Sequence, residues 1–287
     1  METSIAKLQV MGKSFTYEAA GRGDVVLFIH GSGFSGAMWM PFARALEARV
    51  RSVMVDLLGY GRSQAVRHGE VVDDSFDLAL LKQVIERESS GAPVHLVGHS
   101  YGAVLAAKLA LQDRALVRSL ALVEPALFGP LRAERPADCV GELESLFGDG
   151  KMLDPAFGAT EAWAARLYDY WTGKGAFALL TPRQKELQLE GSQKAFCEVR
   201  EAALDVQPFA RYSALPKPLL LVGGERSTAC ASRIMSRLGH VSGAVVHVVP
   251  AATHFLPITH GPELLEMLIR MWLIPESQVT KAHVGAV

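Results

Sequence analysis

What the chain lacks narrows its function first. Its 287 residues hold only three cysteines, Cys139, Cys197 and Cys230, odd in number and far apart. No C-x-x-C pair or Cys/His cluster offers a metal site, so none is expected, and the simplest location is a reducing cytoplasm. Charge is nearly balanced, with a formal net of −1 and no long run of one sign. That argues against nucleic acid or an acidic membrane surface as a partner. No stretch approaches a membrane span, and the opening "METSIAKLQVMGKSF" has no apolar core of signal-peptide length. Repeats and low-complexity tracts are missing too. What is there is apolar: 49% hydrophobic against 21% charged residues, enough for a large buried core.

The apolar residues are ordered in a telling way. Runs at 25–29 ("VVLFI"), 52–55, 94–97 ("VHLV"), 119–123, 219–222 and 244–249 have strand length and are apolar on consecutive residues. Such runs suit strands covered on both faces, as in parallel sheets. Helical patterns at 40–49, 74–88, 101–112, 231–238 and 262–273 separate them, and 5–10 with 13–18 form an antiparallel hairpin. The alternation predicts an α/β fold with a doubly wound, mostly parallel sheet. It stops between Phe128 and Tyr212, where Pro/Gly breaks divide helical segments. That span carries 11 of the chain's 22 aromatic residues. Either it is a helical subdomain with its own core, or a cap whose inner face lines an apolar pocket. The expected division is therefore a core part at 1–127, a helical insertion at 128–212 and a second core part at 213–287.

Chemistry concentrates at strand ends. In Gly98-His99-Ser100-Tyr101-Gly102, a hydroxyl lies between two glycines where a strand turns into a helix. A tight turn there needs small flanking residues and exposes the Ser100 oxygen beside a helix N-terminus, where free N–H groups favour negative charge. Ser100 is the expected nucleophile. The glycine-rich turn His30-Gly31-Ser32-Gly33 can aim the Ser32 N–H at a carbonyl oxygen, with the Tyr101 N–H as the second donor of an oxyanion hole. His254 follows the last strand in "VVPAATHFLPITH", at the same sheet end, and is the expected base. The turn from Asp56 to Ser63 reads as structural, as do His30, His95 and His247.

These motifs, in this order, resemble the α/β-hydrolase family in its capped serine hydrolase and esterase branch. The resemblance implies cleavage of a carboxylic ester or related acyl substrate through an acyl-enzyme on Ser100, without metal or organic cofactor. Its partner would be a small, apolar acyl substrate, the oligomeric state staying open. C–C bond hydrolase, thioesterase and slow-turnover ligand-receptor readings share the same parts. Trp39, His99, Phe128 and Phe255 are the expected substrate-binding residues. One departure stands out. Many family members place the triad's acid as an Asp in a turn that here reads Gly224-Glu225-Arg226-Ser227, so Ser227 takes the Asp position. Glu124 ends the sixth strand, an arrangement similar to that of haloalkane dehalogenases, and an unpaired carboxylate buried there would be costly. Glu124 is the favoured acid and Glu225 the rival.

Overall fold

The protein is described here over residues 3–273 of a computed structural model; residues 274–287 of the expected third segment lie outside it. A hairpin opens the chain, β1 (Thr3–Val10) and β2 (Lys13–Gly21). β3 (Asp24–Ile29), β4 (Val50–Asp56), β5 (Val94–His99), β6 (Val117–Val123), β7 (Leu219–Gly224) and β8 (Val246–Val249) follow. They join one eight-stranded sheet in the order β1-β2-β4-β3-β5-β6-β7-β8. The β1–β2 and β2–β4 pairs are antiparallel and the rest parallel.

The helices are α1 (Met40–Leu46), α2 (Ser75–Ser89), α3 (Tyr101–Gln112), α4 (Phe128–Glu134), α5 (Val140–Phe147), α6 (Glu161–Thr172), α7 (Pro182–Glu190), α8 (Ser192–Leu204), α9 (Ala229–Ser242), α10 (Leu256–Thr259) and α11 (Gly261–Leu273). Along β3 the fully buried side chains alternate between two cores. Val26 and Phe28 pack with α1 and α11, Leu27 and Ile29 with α2, α3 and α9. This is why the strand is apolar at every position from Val25 to Ile29: both faces are covered there. Each such side chain contributes about 1.5–3 kcal/mol by leaving water.

The predicted helix over 40–49 ends early, at Leu46, because the chain must reverse into β4; the Arg49 N–H closes that turn on the Leu46 carbonyl at 2.8 Å. The strand expected over 52–55 runs instead from Val50 to Asp56, since β2 and β3 pair with it on both sides. Between β6 and β7 the elements are helical, α4 to α8, and they cover the carboxyl ends of the strands. A buried lysine fastens them there. Lys108 on α3 bonds Asp74 (2.6 Å) just before α2 and reaches Glu201 (3.0 Å) and Asp205 (3.1 Å) at the end of α8. Among the described residues no helix is long and apolar enough to cross a membrane.

Candidate active site

Ser100 sits alone between the end of β5 and the start of α3, with φ 54° and ψ −118°. That backbone is sterically disfavoured for a residue with a side chain, and the flanking glycines make room for it. A Cβ on Gly98 would lie 2.4 Å from the Gly102 carbonyl oxygen, and one on Gly102 2.4 Å from that of His30. The Ser100 N–H is fixed to the Val123 carbonyl at 2.9 Å, so the turn is pinned to the end of β6.

Two further strand ends meet the hydroxyl. His254 lies between β8 and α10, and its Nε2 is 2.9 Å from Ser100 Oγ. Its Nδ1 is 3.3 Å from Glu124 Oε2. With Nδ1–H donating to the carboxylate, Nε2 is left to accept from the serine. Glu124 directly follows β6 at φ 49°, another backbone conformation unusual outside glycine. Its second oxygen, Oε1, accepts from the Gly224 N–H (2.7 Å) and the Ser227 hydroxyl (2.8 Å). All three side chains are buried. Glu225, the rival acid, is exposed and accepts the Ala251 N–H at 2.8 Å. Ser227 carries no charge, yet it orients the carboxylate that does.

The glycine-rich turn faces the same point. His30 braces it from below: Nδ1–H donates to the Gly31 carbonyl at 2.8 Å and Nε2 accepts the Leu57 N–H at 3.0 Å. Burial holds the His30 imidazole below its ordinary pKa, in keeping with a neutral prop. Asp56 ties the neighbouring turn, accepting from the Gly36 and Arg62 N–H groups at 2.8 and 2.9 Å. Tyr101 opens α3, and the first N–H groups of a helix have no preceding carbonyl to bond. Ser32 and Tyr101 both line one large cavity of about 1510 Å³, together with Ser100, His99, His254, Phe255 and Phe128. Phe147, Trp163, Leu167 and Tyr168 continue its apolar wall under the helices. No lining residue among those described is Lys or Arg.

The sequence agrees with this arrangement beyond its motifs. Residues 26–266 match the family model described as "Alpha/beta hydrolase family". The chain belongs to the α/β-hydrolase family.

The hydrolase is 28% identical over 243 residues to 2-(acetamidomethylene)succinate hydrolase of Mesorhizobium japonicum, covering 82% of this chain and 83% of that one. It is 27% identical over 270 residues to pimeloyl-[acyl-carrier protein] methyl ester esterase of Methylococcus capsulatus, covering 88% and 95%. A shorter match, 32% identical over 126 residues, is to "Probable lysophospholipase BODYGUARD 2" of Arabidopsis thaliana; it covers 41% of the hydrolase but only 26% of that protein. Among solved structures, the fold is similar to that of epoxide hydrolase CorEH (TM-score 0.73, 17% identity, 94% of this chain and 99% of that one). It is also similar to the meta-cleavage product hydrolase CumD of Pseudomonas fluorescens (TM-score 0.67, 21% identity, 93% and 97%).

One expected pocket residue is misplaced. Trp39 does not reach the cavity of the hydrolase: it is fully buried in the core between the sheet, α1 and α11, 5.2 Å between ring centroids from both Phe28 and Phe42. The short turn before α1 points the indole inward, where it gains more by burial than it would at a wet rim. His99 lines the cavity, but its firmest contact is structural, Nε2–H donating to the His254 carbonyl at 2.8 Å.

Two features escaped sequence reasoning. Lys194 and Glu198 of α8 look like an ordinary solvated helix pair at i, i+4, yet both are buried. Lys194 Nζ lies 2.7 Å from Asp77 and 3.0 Å from Glu198, and the Tyr60 hydroxyl donates to Glu198 at 2.8 Å. Burial raises the Glu198 carboxyl above its ordinary pKa, and Glu198 lines the same cavity as Ser32 of the glycine-rich turn. The second feature is Trp171, whose ring lies on His254. Only its place in an aromatic-rich span was visible beforehand.

Proposed function

We propose that this hydrolase cleaves an uncharged, apolar carboxylic ester through an acyl-enzyme on Ser100. The observation that carries the reading is the hydrogen-bonded chain from Ser100 Oγ through both His254 nitrogens to Glu124, opening on an apolar cavity. In that chain His254 Nε2 takes the Ser100 proton as Oγ attacks the ester carbonyl carbon. The Ser32 and Tyr101 N–H groups receive the negative charge that gathers on the carbonyl oxygen. Collapse expels the alcohol, which leaves with the proton from His254. Water, deprotonated by the same imidazole, then attacks the acyl carbon, and the acid departs as Ser100 regains its proton. Glu124 holds Nδ1–H throughout and offsets the imidazolium charge, while Gly224 and Ser227 hold Glu124.

Residues 128–212 act as the cap that shapes the acyl site, with Phe128, Phe147 and Leu167 as its apolar wall. An apolar wall with no Lys or Arg among its described residues suits an uncharged acyl chain better than a carboxylate-bearing one. The esterase relative supports the ester class. The three buried free cysteines suit a reducing cytoplasm. A fluorophosphonate label with peptide mapping, run beside p-nitrophenyl esters of rising chain length, tests the reading. The expected adduct is on Ser100, and Phe147→Ala should move the preference to longer acyl chains. An adduct elsewhere, or none on folded protein, removes the nucleophile from this account.

A further inference from the structure

α6 lays an aromatic ring flat on the imidazole of His254. The Trp171 and His254 ring centroids are 3.5 Å apart and their planes differ by 13°, a full face-to-face stack. The other ring contacts of Trp171 are edge-on, 4.6 Å and 72° to Tyr170, 6.1 Å and 61° to Phe128. The stack is held from outside itself. The next residue back, Tyr170, bonds the Thr228 hydroxyl at 2.9 Å and donates to the Glu142 carboxylate. Glu142 in turn accepts the Ala229 and Cys230 N–H groups at 2.8 and 3.2 Å. The last turn of α6 is therefore tied to the first turn of α9, one residue from Ser227, which holds Glu124. One closed circuit of contacts connects the stacked indole to the carboxylate on the far nitrogen of the same imidazole.

We propose that Trp171 is a positioning residue for His254. Its indole face keeps the imidazole in the plane joining Ser100 to Glu124, and stabilises the imidazolium formed when the serine gives up its proton. This rests on the reading of His254 as the base. The groups that face His254 are Glu124 at Nδ1, Ser100 at Nε2, His99 with its ring centroid 5.0 Å away, Phe255 at 5.8 Å, and Trp171. His99 is held neutral by burial, its pKa lowered to about 3. Of the five, only Glu124 and the negative face of the indole favour the cation. The indole arrives on the cap, whereas Ser100, Glu124 and His254 stand on sheet ends. A base fully stabilised only when α6 is seated makes turnover depend on cap placement.

The test is kcat/KM against pH for Trp171→Leu and Trp171→Phe on a p-nitrophenyl ester, with tryptophan fluorescence titrated alongside. In Trp171→Leu the plateau should fall on the order of 5- to 30-fold, the range of a buried cation–π contact. The acid limb should move to lower pH, because losing a group that favours the cation weakens the base. Trp171→Phe, with a weaker face, should recover part of both effects. Wild-type fluorescence should step as His254 protonates, and the step should vanish in Trp171→Phe and in His254→Ala. A merely structural role would lower the plateau and leave the acid limb in place, and that outcome overturns the proposal. So does a fluorescence step that survives Trp171→Phe, a measurement that still decides if the Leu variant fails to fold. Ser100→Ala separates the two ideas: ester hydrolysis retained there overturns the reading of the site, while the fluorescence step reports the stack without turnover.

Discussion

Replacing Glu124 by Gln should do more than remove a charge. The Oε1 position already receives two donors, the Gly224 N–H at 2.7 Å and the Ser227 hydroxyl at 2.8 Å. In the Gln variant only the amide oxygen can satisfy both, so it takes that place and turns the NH₂ toward His254. A donor then faces Nδ1, 3.3 Å away in the wild type. The imidazole must answer by accepting at Nδ1 and carrying its proton on Nε2, the nitrogen that should receive the Ser100 proton. Leaving two donors unpaired instead would cost about 1–3 kcal/mol each, so the wrong tautomer is the cheaper state. In the serine protease triad the equivalent change lowers turnover by roughly 10⁴. Glu124 is buried and pinned in the same way, so kcat should fall on the order of 10²–10⁴ with KM little changed. Steady-state kinetics on a p-nitrophenyl ester, with circular dichroism to verify folding, measure it. Glu225→Gln serves as the control; its carboxylate holds only the exposed Ala251 turn and should leave kcat within a few-fold. A crippled Glu225→Gln beside a near-wild-type Glu124→Gln would refute the assignment of the acid.

Two other perturbations probe the surroundings. Lys194→Met should destabilise the protein by about 3–5 kcal/mol in denaturant unfolding, because Asp77 and Glu198 would share a buried site with no cation. The loss should shrink as pH falls and Glu198 protonates; a change under about 1 kcal/mol at neutral pH would show that the cluster carries no net stabilisation. His99 gives a pH dependence of definite sign. Its folded pKa of about 3 lies below the ordinary 6.5 of the unfolded chain, so its contribution is complete above 6.5 and is lost as pH falls. Between pH 7 and 5 that loss is about 2 kcal/mol, and a His99→Gln variant, unfolded side by side, should show a correspondingly flatter slope. Equal slopes would mean that the imidazole titrates normally in the folded state.

The parallel strands were legible because burial on both faces writes an unbroken apolar run, as in Val25–Ile29. Ser100 was legible because Gly98 and Gly102 answer a steric demand that few turns make. Glu124 could be read from the lack of an Asp at 227 together with a carboxylate ending an apolar strand. What stayed hidden depends on which way a side chain faces across long sequence distances. Trp39 lies only six residues beyond the glycine-rich turn, but the helical turn that carries it directs the ring into the α1 core. Lys194 and Glu198 have the spacing of a solvated pair, and only the seating of α8 on Tyr60 and Asp77 buries them. Trp171 could reach His254 only once α6 had been anchored through Tyr170, a contact 58 residues long in sequence.

The positive φ angles at Ser100 and Glu124 place stability and activity in opposition. Each position holds a side chain on a backbone that only glycine adopts without strain, at about 1–3 kcal/mol. On the reading of Ser100 as the nucleophile, the chain would fold more comfortably without it. A Ser100→Gly variant, losing one small side chain and relaxing the turn, should melt above the wild type while hydrolysing nothing. Selection for stability alone would therefore act against this site, as it would at Met11, Ser90, Arg135, Ala159 and Ala251, which share a positive φ. Variants sought for thermal resistance need an activity screen, because some of the available gains lie at Ser100 and Glu124 themselves.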